Sequence, residues 1–146
     1  IWNVHGMGAR TKSDFISNEL YNNSVSMLVI LEPKQDSSKI KEFSQILRAH
    51  SYKHGNLLNL HIWLSWKTYM IVDLLSSSDQ FMTTIITVGN LNFLFIFIYF
   101  ECEAQKRKAL WKELDSFNLE NTPWLVGGDF NIMDYLEEKH GGGAFP

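Results

Sequence analysis

Polar side chains that could serve metal or phosphate chemistry stand at the ends of three apolar segments of the chain. Asn3 ends the first segment, Glu32 the second, and Asp129 with Asn131 the last. Asp129 and Asn131 are two positions apart, so in extended backbone their side chains project to the same face. Carboxylate and amide oxygens suit a hard cation such as Mg²⁺, which takes one or two carboxylates and keeps several waters. The pattern therefore predicts a divalent-cation site built at strand ends.

Each of these residues also has an ordinary structural explanation. An Asn after a strand is common in turns, and Glu32 before Pro33 is typical of a solvated strand end. The sequence Gly127-Gly128-Asp129 fits a turn, although the glycines also allow a close backbone approach or a bulge. Taken singly, none of these residues establishes a site, so the hypothesis depends on their combination.

The helices that must help to position these residues are predicted from apolar periodicity. They are expected at residues 11–22, from Ser37 or Ser38 onward, and at residues 104–117. The first helix is expected to turn Phe15, Ile16 and Leu20 inward, and the second to carry Phe43 and Leu47 in one apolar stripe. Helices of this kind alternate with strands along the chain.

The strands are predicted from runs of apolar and β-branched residues. They are expected at residues 1–4, 27–31, 62–66, 69–75, 82–88, 93–100 and 124–126. The middle of the chain is thus a series of strands in hairpin spacing, although helices occur before and after it. This mixture predicts an α/β (α+β) fold in layers, with antiparallel or mixed sheets.

The composition is that of a globular domain. The chain has 146 residues, of which 45% are hydrophobic and 20% charged. Its net charge of -3 predicts no electrostatic attraction to nucleic acid, although a metal-using nuclease can supply its own cation. The apolar run at 93–100 is too short to span a bilayer, and no signal peptide is recognised after Ile1. The single cysteine, Cys102, excludes an internal disulfide and favours a reducing intracellular setting.

Several short motifs occur in order along the whole chain. They are Trp2-Asn3-Val4-His5-Gly6-Met7-Gly8, Leu31-Glu32-Pro33-Lys34, Ile62-Trp63, Ser78-Asp79-Gln80, Tyr99, Leu110-Trp111, Gly128-Asp129-Phe130-Asn131, Glu138-Lys139 and Gly141-Gly142. Together they resemble the endonuclease/exonuclease/phosphatase family, in the form found in plant non-LTR (LINE-type) retrotransposons. The resemblance implies a sandwich of two mixed β-sheets flanked by helices, with residues 1–146 forming a partial domain that is incomplete at the C-terminus.

The resemblance also implies a reaction and roles for individual residues. The family hydrolyses phosphodiesters with Mg²⁺ (or Mn²⁺), and its retrotransposon members nick DNA to leave a 3′ hydroxyl that primes reverse transcription. Glu32 would hold the metal with help from Asn3, and Asp129 would orient or deprotonate the attacking water. Asn131 and Tyr99 would contact phosphate oxygens. DNA is then the expected partner, with a reverse transcriptase domain downstream in the same polyprotein and a nuclear location, and no membrane is expected.

Three departures from the family pattern leave the activity open. His5 stands where an Arg is usual, and Phe100-Glu101 replaces small residues after Tyr99. The family's Ser-Asp-His motif does not occur before Pro146, so weak or absent activity is expected from these residues alone. One alternative is a catalytically silent, degenerate remnant of such a domain. Another is a family phosphatase that acts on small phosphate esters.

Other reactive side chains are given less weight. His50 and His54 have the spacing of a metal pair but lie where the second helix should end, without a cluster of other ligands. His61 and His140 are expected in loops or on the surface. Cys102 lies between two glutamates and lacks the positive surroundings of a nucleophile. The basic run 106–108 is expected to be a solvated helix face, or otherwise a patch that contacts phosphate.

Overall fold

Two four-stranded β-sheets form the centre of the protein in a computed structural model of the chain. The structure describes residues 1–8, 10–34, 43, 45–47, 52–54, 61–100, 104–116 and 122–132. The strands are β1 Trp2–Asn3, β2 Met27–Leu31, β3 Tyr52–His54, β4 Ile62–Lys67, β5 Ile71–Ser77, β6 Phe81–Val88, β7 Leu91–Tyr99 and β8 Trp124–Asp129. Helix α1 spans Arg10–Asn22 and helix α2 spans Ala104–Asp115. Residues 43 and 45–47 are also helical.

Each sheet contains one parallel pair of strands. The first sheet has the order β1-β2-β4-β3 and the second the order β5-β6-β7-β8. The pairs β1–β2 and β7–β8 are parallel, and the other neighbours are antiparallel. Each parallel pair is joined by a helix, α1 in the first sheet and α2 in the second, as a parallel connection requires. Both sheets are therefore mixed, which confirms the predicted fold class.

Alternation along the strands divides the apolar side chains among three clusters, one between the two sheets and one between each sheet and its helix. Val29 and Leu31 of β2 pack with Phe97 of β7 in a core between the two sheets. Their neighbour Ile30 faces the other way and packs with Ile16 of α1. The same period of two puts other residues of β7 against α2, where Ile96, Ile98 and Leu110 share a cluster. The resulting order of layers is helix, sheet, sheet, helix.

Most predicted elements are confirmed within a few residues. The helix at 11–22 begins one residue earlier, and the strand at 27–31 has the predicted bounds. The predicted run at 93–100 is strand β7, and the run at 124–126 continues to Asp129. Phe43 and Leu47 are helical and buried, while the start of that helix lies outside the described residues. Across the part of the chain that the structure describes, there is no helix whose length and apolar content would let it cross a membrane.

Three predictions are wrong in detail. Phe15 was expected inside, but it is 51% exposed and packs on Trp2 with ring centroids 5.1 Å apart, because Ile16 and Leu20 already fill the inner stripe. The strand predicted at 69–75 begins at Ile71, since Met70 N donates to Lys67 O at 3.0 Å and closes a turn between the sheets. His54 was expected at the end of the second helix, but Tyr52–His54 form strand β3, which was missed because three residues carry no readable alternation.

The packing between the sheets predicts where truncation is most costly. Phe97 is fully buried between them, so Phe97→Ala should lower the free energy of unfolding by about 3–5 kcal/mol. Leu91 begins the same strand and is 72% exposed, so Leu91→Ala should change it by no more than about 0.5 kcal/mol. Urea unfolding followed by tryptophan fluorescence measures both. Similar losses for the two variants would contradict the assigned layers.

Candidate active site

Two hydrogen bonds between the sheets bring the predicted polar residues together. Asn3 Nδ2 donates to Asp129 Oδ2 at 2.7 Å. The Tyr99 hydroxyl donates to Glu32 Oε1. Asn131 joins the group through its backbone N–H, which donates to Asp129 Oδ1 at 2.9 Å. All the predicted site residues therefore lie at one end of the sandwich.

The convergence follows from the two parallel pairs. Asn3 is in register with Leu31, the residue before Glu32, and Tyr99 is in register with Asp129. Parallel strands end at the same edge of a sheet, so each pair presents its last residues side by side. Packing the two sheets face to face then brings both edges to one place. Residues far apart in sequence become neighbours because each helix returns the chain to the same end.

Gly128 permits the close approach of β8 to β7 that positions Asp129. A Cβ atom on Gly128 would lie 1.9 Å from the carbonyl oxygen of Ile98, which no side chain could accommodate. The strand continues beyond it, since Phe100 N donates to Asp129 O at 2.8 Å. The predicted close approach at the glycine pair is therefore confirmed for this residue, immediately before the carboxylate.

Two irregular turns run side by side at this end of the first sheet. His5 and Gly6 follow β1 with φ of 45° and 96°, and Glu32 follows β2 with φ of 50°. Gly6 N donates to Glu32 O at 2.7 Å, which ties the turns to each other. Lys12 of α1 then donates through Nζ to the carbonyls of Val4 and Gly6 at 2.5 and 2.7 Å. Positive φ at a residue other than glycine costs energy. These contacts hold His5 and Glu32 in that backbone conformation.

Glu32 is a buried carboxylate that stays ionised. It is 7% exposed, and its Oε2 lies 2.6 Å from Lys34 Nζ and 3.0 Å from His5 Nδ1. Burial raises the pKa of Glu32, but the hydrogen bonds from Lys34, Tyr99 and His5 outweigh burial and lower the pKa from 4.5 to about 2. The site therefore carries a fixed negative charge at neutral pH.

These donors fit a hydrated divalent cation such as Mg²⁺. Among the described residues no group of three His, Cys, Asp or Glu side chains could by itself enclose a metal ion. Mg²⁺ does not need such an enclosure, because it commonly binds one or two carboxylates and completes its shell with water. The ionised Glu32 supplies one carboxylate, and Asn3, the last residue of the adjoining strand β1, supplies an amide oxygen. The chemistry of this set therefore suits an oxygen-seeking ion.

Several neighbours of the site were not anticipated. His61, expected in a loop or on the surface, precedes β4 and is half-buried, and its ring stacks on Tyr99 at 5.1 Å. Its backbone carbonyl also accepts from Glu32 N at 2.9 Å. Lys12 gave no sequence signal for a role at the site, since a lone lysine is usually solvated, and Lys34 was noted only as part of the motif that contains Glu32. Pairing between β2 and β4 brings His61 here, and that pairing is not visible in the sequence around it.

Phe100, one of the departures from the family pattern, faces away from the site. It is fully buried in the layer between the second sheet and α2. Its ring meets Trp111 and Phe130 edge to face, with centroids 5.2 Å away in each case. The large side chain is therefore accommodated by aromatic packing under the helix. Glu101, which follows it, lies outside the described residues together with residues 133–146.

Comparison with solved structures identifies the fold. Humanized D. rerio TDP2 matches with a TM-score of 0.65 and 14% identity over 91% of this chain and 61% of that chain. D. rerio TDP2 complexed with single strand DNA product matches with a TM-score of 0.64 and 14% identity over 91% and 60%. The endonuclease domain of TRAS1, a telomere-specific non-LTR retrotransposon, matches with a TM-score of 0.63 and 12% identity over 91% and 59%. No protein-family model and no curated protein sequence matches the chain.

These matches show which fold the chain has and how much of the matched structures it spans. The chain has the endonuclease/exonuclease/phosphatase fold, as the sequence motifs implied. It spans about three-fifths of the length of the TDP2 and TRAS1 structures that it matches. At 12–14% identity the likeness establishes the fold alone.

The lowered pKa of Glu32 predicts how stability depends on pH. A carboxylate whose pKa falls on folding stabilises the protein above its unfolded pKa and loses that contribution as pH falls through the folded value. The stability advantage over Glu32→Gln should therefore be constant above about pH 5.5 and shrink toward pH 2, by on the order of 1–3 kcal/mol. Urea unfolding between pH 3 and pH 7 measures the difference. An advantage that grows on acidification would contradict the assignment.

Proposed function

We propose that this chain belongs to a divalent-metal-dependent phosphodiesterase that nicks DNA, as the endonuclease domain of a retrotransposon-type protein. The observation that supports it most directly is the pair of hydrogen bonds between sheets, Asn3 to Asp129 and Tyr99 to Glu32. They bring two carboxylates, one amide and a phenol to the same end of the sandwich. The TRAS1 structure is an endonuclease domain of a non-LTR retrotransposon, and the D. rerio TDP2 structure contains a single strand DNA product.

Glu32 and Asn3 are the proposed metal-binding residues. Glu32 remains ionised, so it can hold Mg²⁺ or Mn²⁺ without first losing a proton. The bound ion would supply Lewis-acid stabilisation of the negative charge that develops on the phosphate. Asn3 orients the neighbouring carboxylate of Asp129 through its Nδ2 and accepts from His5 N through its Oδ1 at 3.1 Å. It therefore links the metal-binding side of the site to the side that handles water.

Asp129 is the proposed residue that orients or deprotonates the attacking water. Its two oxygens accept from Asn3 Nδ2 and from Asn131 N, which fixes the plane of the carboxylate. Each oxygen has a second lone pair, so the carboxylate can still accept a hydrogen bond or a proton from water. A base that is held in one orientation needs no rearrangement at the moment of proton transfer.

Tyr99 and Asn131 are the proposed contacts to phosphate oxygens. The Tyr99 hydroxyl lies against Glu32 and is kept in place by the His61 ring stacked on it. Asn131 has a φ of 46°, and its Nδ2 donates to Phe100 O at 2.5 Å, which holds the amide group in a fixed direction. The second N–H of that amide is a candidate donor to phosphate. Both groups are neutral, so the charge for phosphate binding must come from cations, including the metal and Lys34.

The alternative is a catalytically silent, degenerate remnant of the same fold. The observation in its favour is that two positions within the chain depart from the motifs of the resembling family, with His5 in place of an Arg and Phe100-Glu101 in place of small residues. A downstream reverse transcriptase domain and a nuclear location belong to the nuclease proposal as further expectations. The two readings differ in whether Asp129 and Glu32 have any effect on DNA cleavage.

Nicking of supercoiled plasmid in Mg²⁺ tests the proposal. These 146 residues alone should nick slowly, and Asp129→Asn should reduce the rate about 10²- to 10⁴-fold, because it removes the base and keeps the shape. Asp73→Asn, at an exposed position of β5, should nick as the unchanged chain does.

The outcomes separate the two readings. A rate that falls in Asp129→Asn and in Glu32→Gln but not in Asp73→Asn supports a nuclease site. Equal nicking by all variants would indicate a contaminant. If the coding frame continues into a Ser-Asp-His motif, the longer polypeptide should nick at least about a hundredfold faster. The absence of nicking by that longer polypeptide would favour the silent remnant.

A further inference from the structure

The imidazole of His5 lies directly beside the oxygen of Glu32 that is placed to bind a cation. Nδ1 of His5 is 3.0 Å from Oε2 of Glu32, and the His5 side chain is 72% exposed, which leaves it accessible to solutes. This residue is also the position at which the sequence departs from the Arg that is usual in the resembling motif. An arginine has no lone pair to offer a metal, whereas a neutral histidine has one.

We propose that His5 Nδ1 is a metal ligand together with Glu32, and that it gives the site a preference for a first-row transition-metal ion over Mg²⁺. The inference rests on the proposed function, because it concerns the same metal site. Imidazole nitrogen binds transition-metal ions well, whereas Mg²⁺ selects oxygen ligands. Replacing a guanidinium by an imidazole therefore changes which ion this site should favour.

The spacing of the two donor atoms is that of neighbouring ligands on one ion. Two ligands about 2.1 Å from an octahedral ion and at right angles to each other are separated by about 3.0 Å. Nδ1 and Oε2 are 3.0 Å apart. One ion could therefore contact both atoms at their present separation, once the imidazole turns so that Nδ1 is directed at the ion and no longer at Oε2. When it binds, the proton on Nδ1 leaves to solvent or is replaced by one on Nε2, so that Nδ1 has its lone pair free.

The backbone around His5 is fixed well enough to keep this arrangement. The residue has a φ of 45°, and its N–H donates to Asn3 Oδ1. The carbonyls on either side, from Val4 and Gly6, both accept from Lys12 Nζ. A ligand held in this way loses little conformational freedom when it binds an ion. The turn is thus anchored to the helix below it and to the neighbouring Asn3 side chain.

Lys34 is the competitor for the same oxygen. Its Nζ lies 2.6 Å from Oε2 of Glu32, and its side chain is 62% exposed. An ammonium group donates but cannot ligate a metal, so it must move away before an ion binds. Since most of the Lys34 side chain is already in solvent, it can move away without displacing other side chains. Lys34→Met should therefore tighten metal binding, whereas His5→Gln should weaken it.

Electron paramagnetic resonance with Mn²⁺ as the probe tests the proposal directly. Pulsed spectra of bound Mn²⁺ should show coupling to an imidazole ¹⁴N, and this coupling should disappear in His5→Gln. It should persist in His61→Gln, a matched change to a histidine whose ring stacks on Tyr99. His5→Gln should also weaken Mn²⁺ binding at least about tenfold and leave the affinity for Mg²⁺, measured by competition, within about twofold, because Mg²⁺ gains little from nitrogen.

The outcomes distinguish this inference from the proposed function. Mn²⁺ binding that requires Glu32 but shows no ¹⁴N coupling would overturn the role of His5 and leave the proposed function standing. Coupling that is lost equally in both histidine variants would also overturn it. Mn²⁺ binding that is unchanged in Glu32→Gln would count against the proposed metal site itself. Circular dichroism of each variant, compared with the unchanged chain, separates lost ligation from lost folding.

Discussion

Burial of an ionised carboxylate where the two sheets meet is the constraint on which the site depends. A charge removed from water costs several kcal/mol unless charged and hydrogen-bonding partners compensate it. Glu32 is compensated by groups from three parts of the chain: Lys34 beside it, His5 in the turn after β1, and Tyr99 from the other sheet. The partners lower the pKa of Glu32 in spite of its burial. Buried Glu32 therefore depends on Tyr99 of the other sheet, and the hydrogen bond between them in turn holds the two sheets together at this end.

The rest of the fold serves to bring those partners together. Helix α1 returns the chain from β1 to a parallel β2, and α2 returns it from β7 to a parallel β8, so the polar ends of both pairs face the same way. The apolar core between the sheets, which includes the fully buried Phe97, sets the distance across which Tyr99 reaches Glu32. Gly128 allows β8 to lie against β7 closely enough for Asp129 to reach Asn3. In each case the packing of the backbone or the core determines where a polar residue of the candidate site lies.

The two halves of the site contribute different kinds of group. The first sheet supplies charge, through Glu32 with Lys34 and His5 around it. The second sheet supplies Asp129, whose direction is set by neutral amides, and the phenol of Tyr99. This division fits the proposed reaction, in which an ion would stabilise the phosphate while a separate carboxylate handles the water. The net charge of -3 is compatible with that proposal, because the positive charge would be needed only locally.

The sequence by itself determined most of the elements and indicated which polar residues form the candidate site. Alternating and helical periods predicted β2, β7 and α1 closely, because a buried face imposes its period on the residues that form it. The order of motifs singled out Asn3, Glu32 and Asp129. Tertiary structure alone decided which of them touch, where β4 turns toward the second sheet, and that His61 lies on Tyr99. Such contacts join positions far apart in the chain, and no local period records them, because they exist only once both sheets have packed.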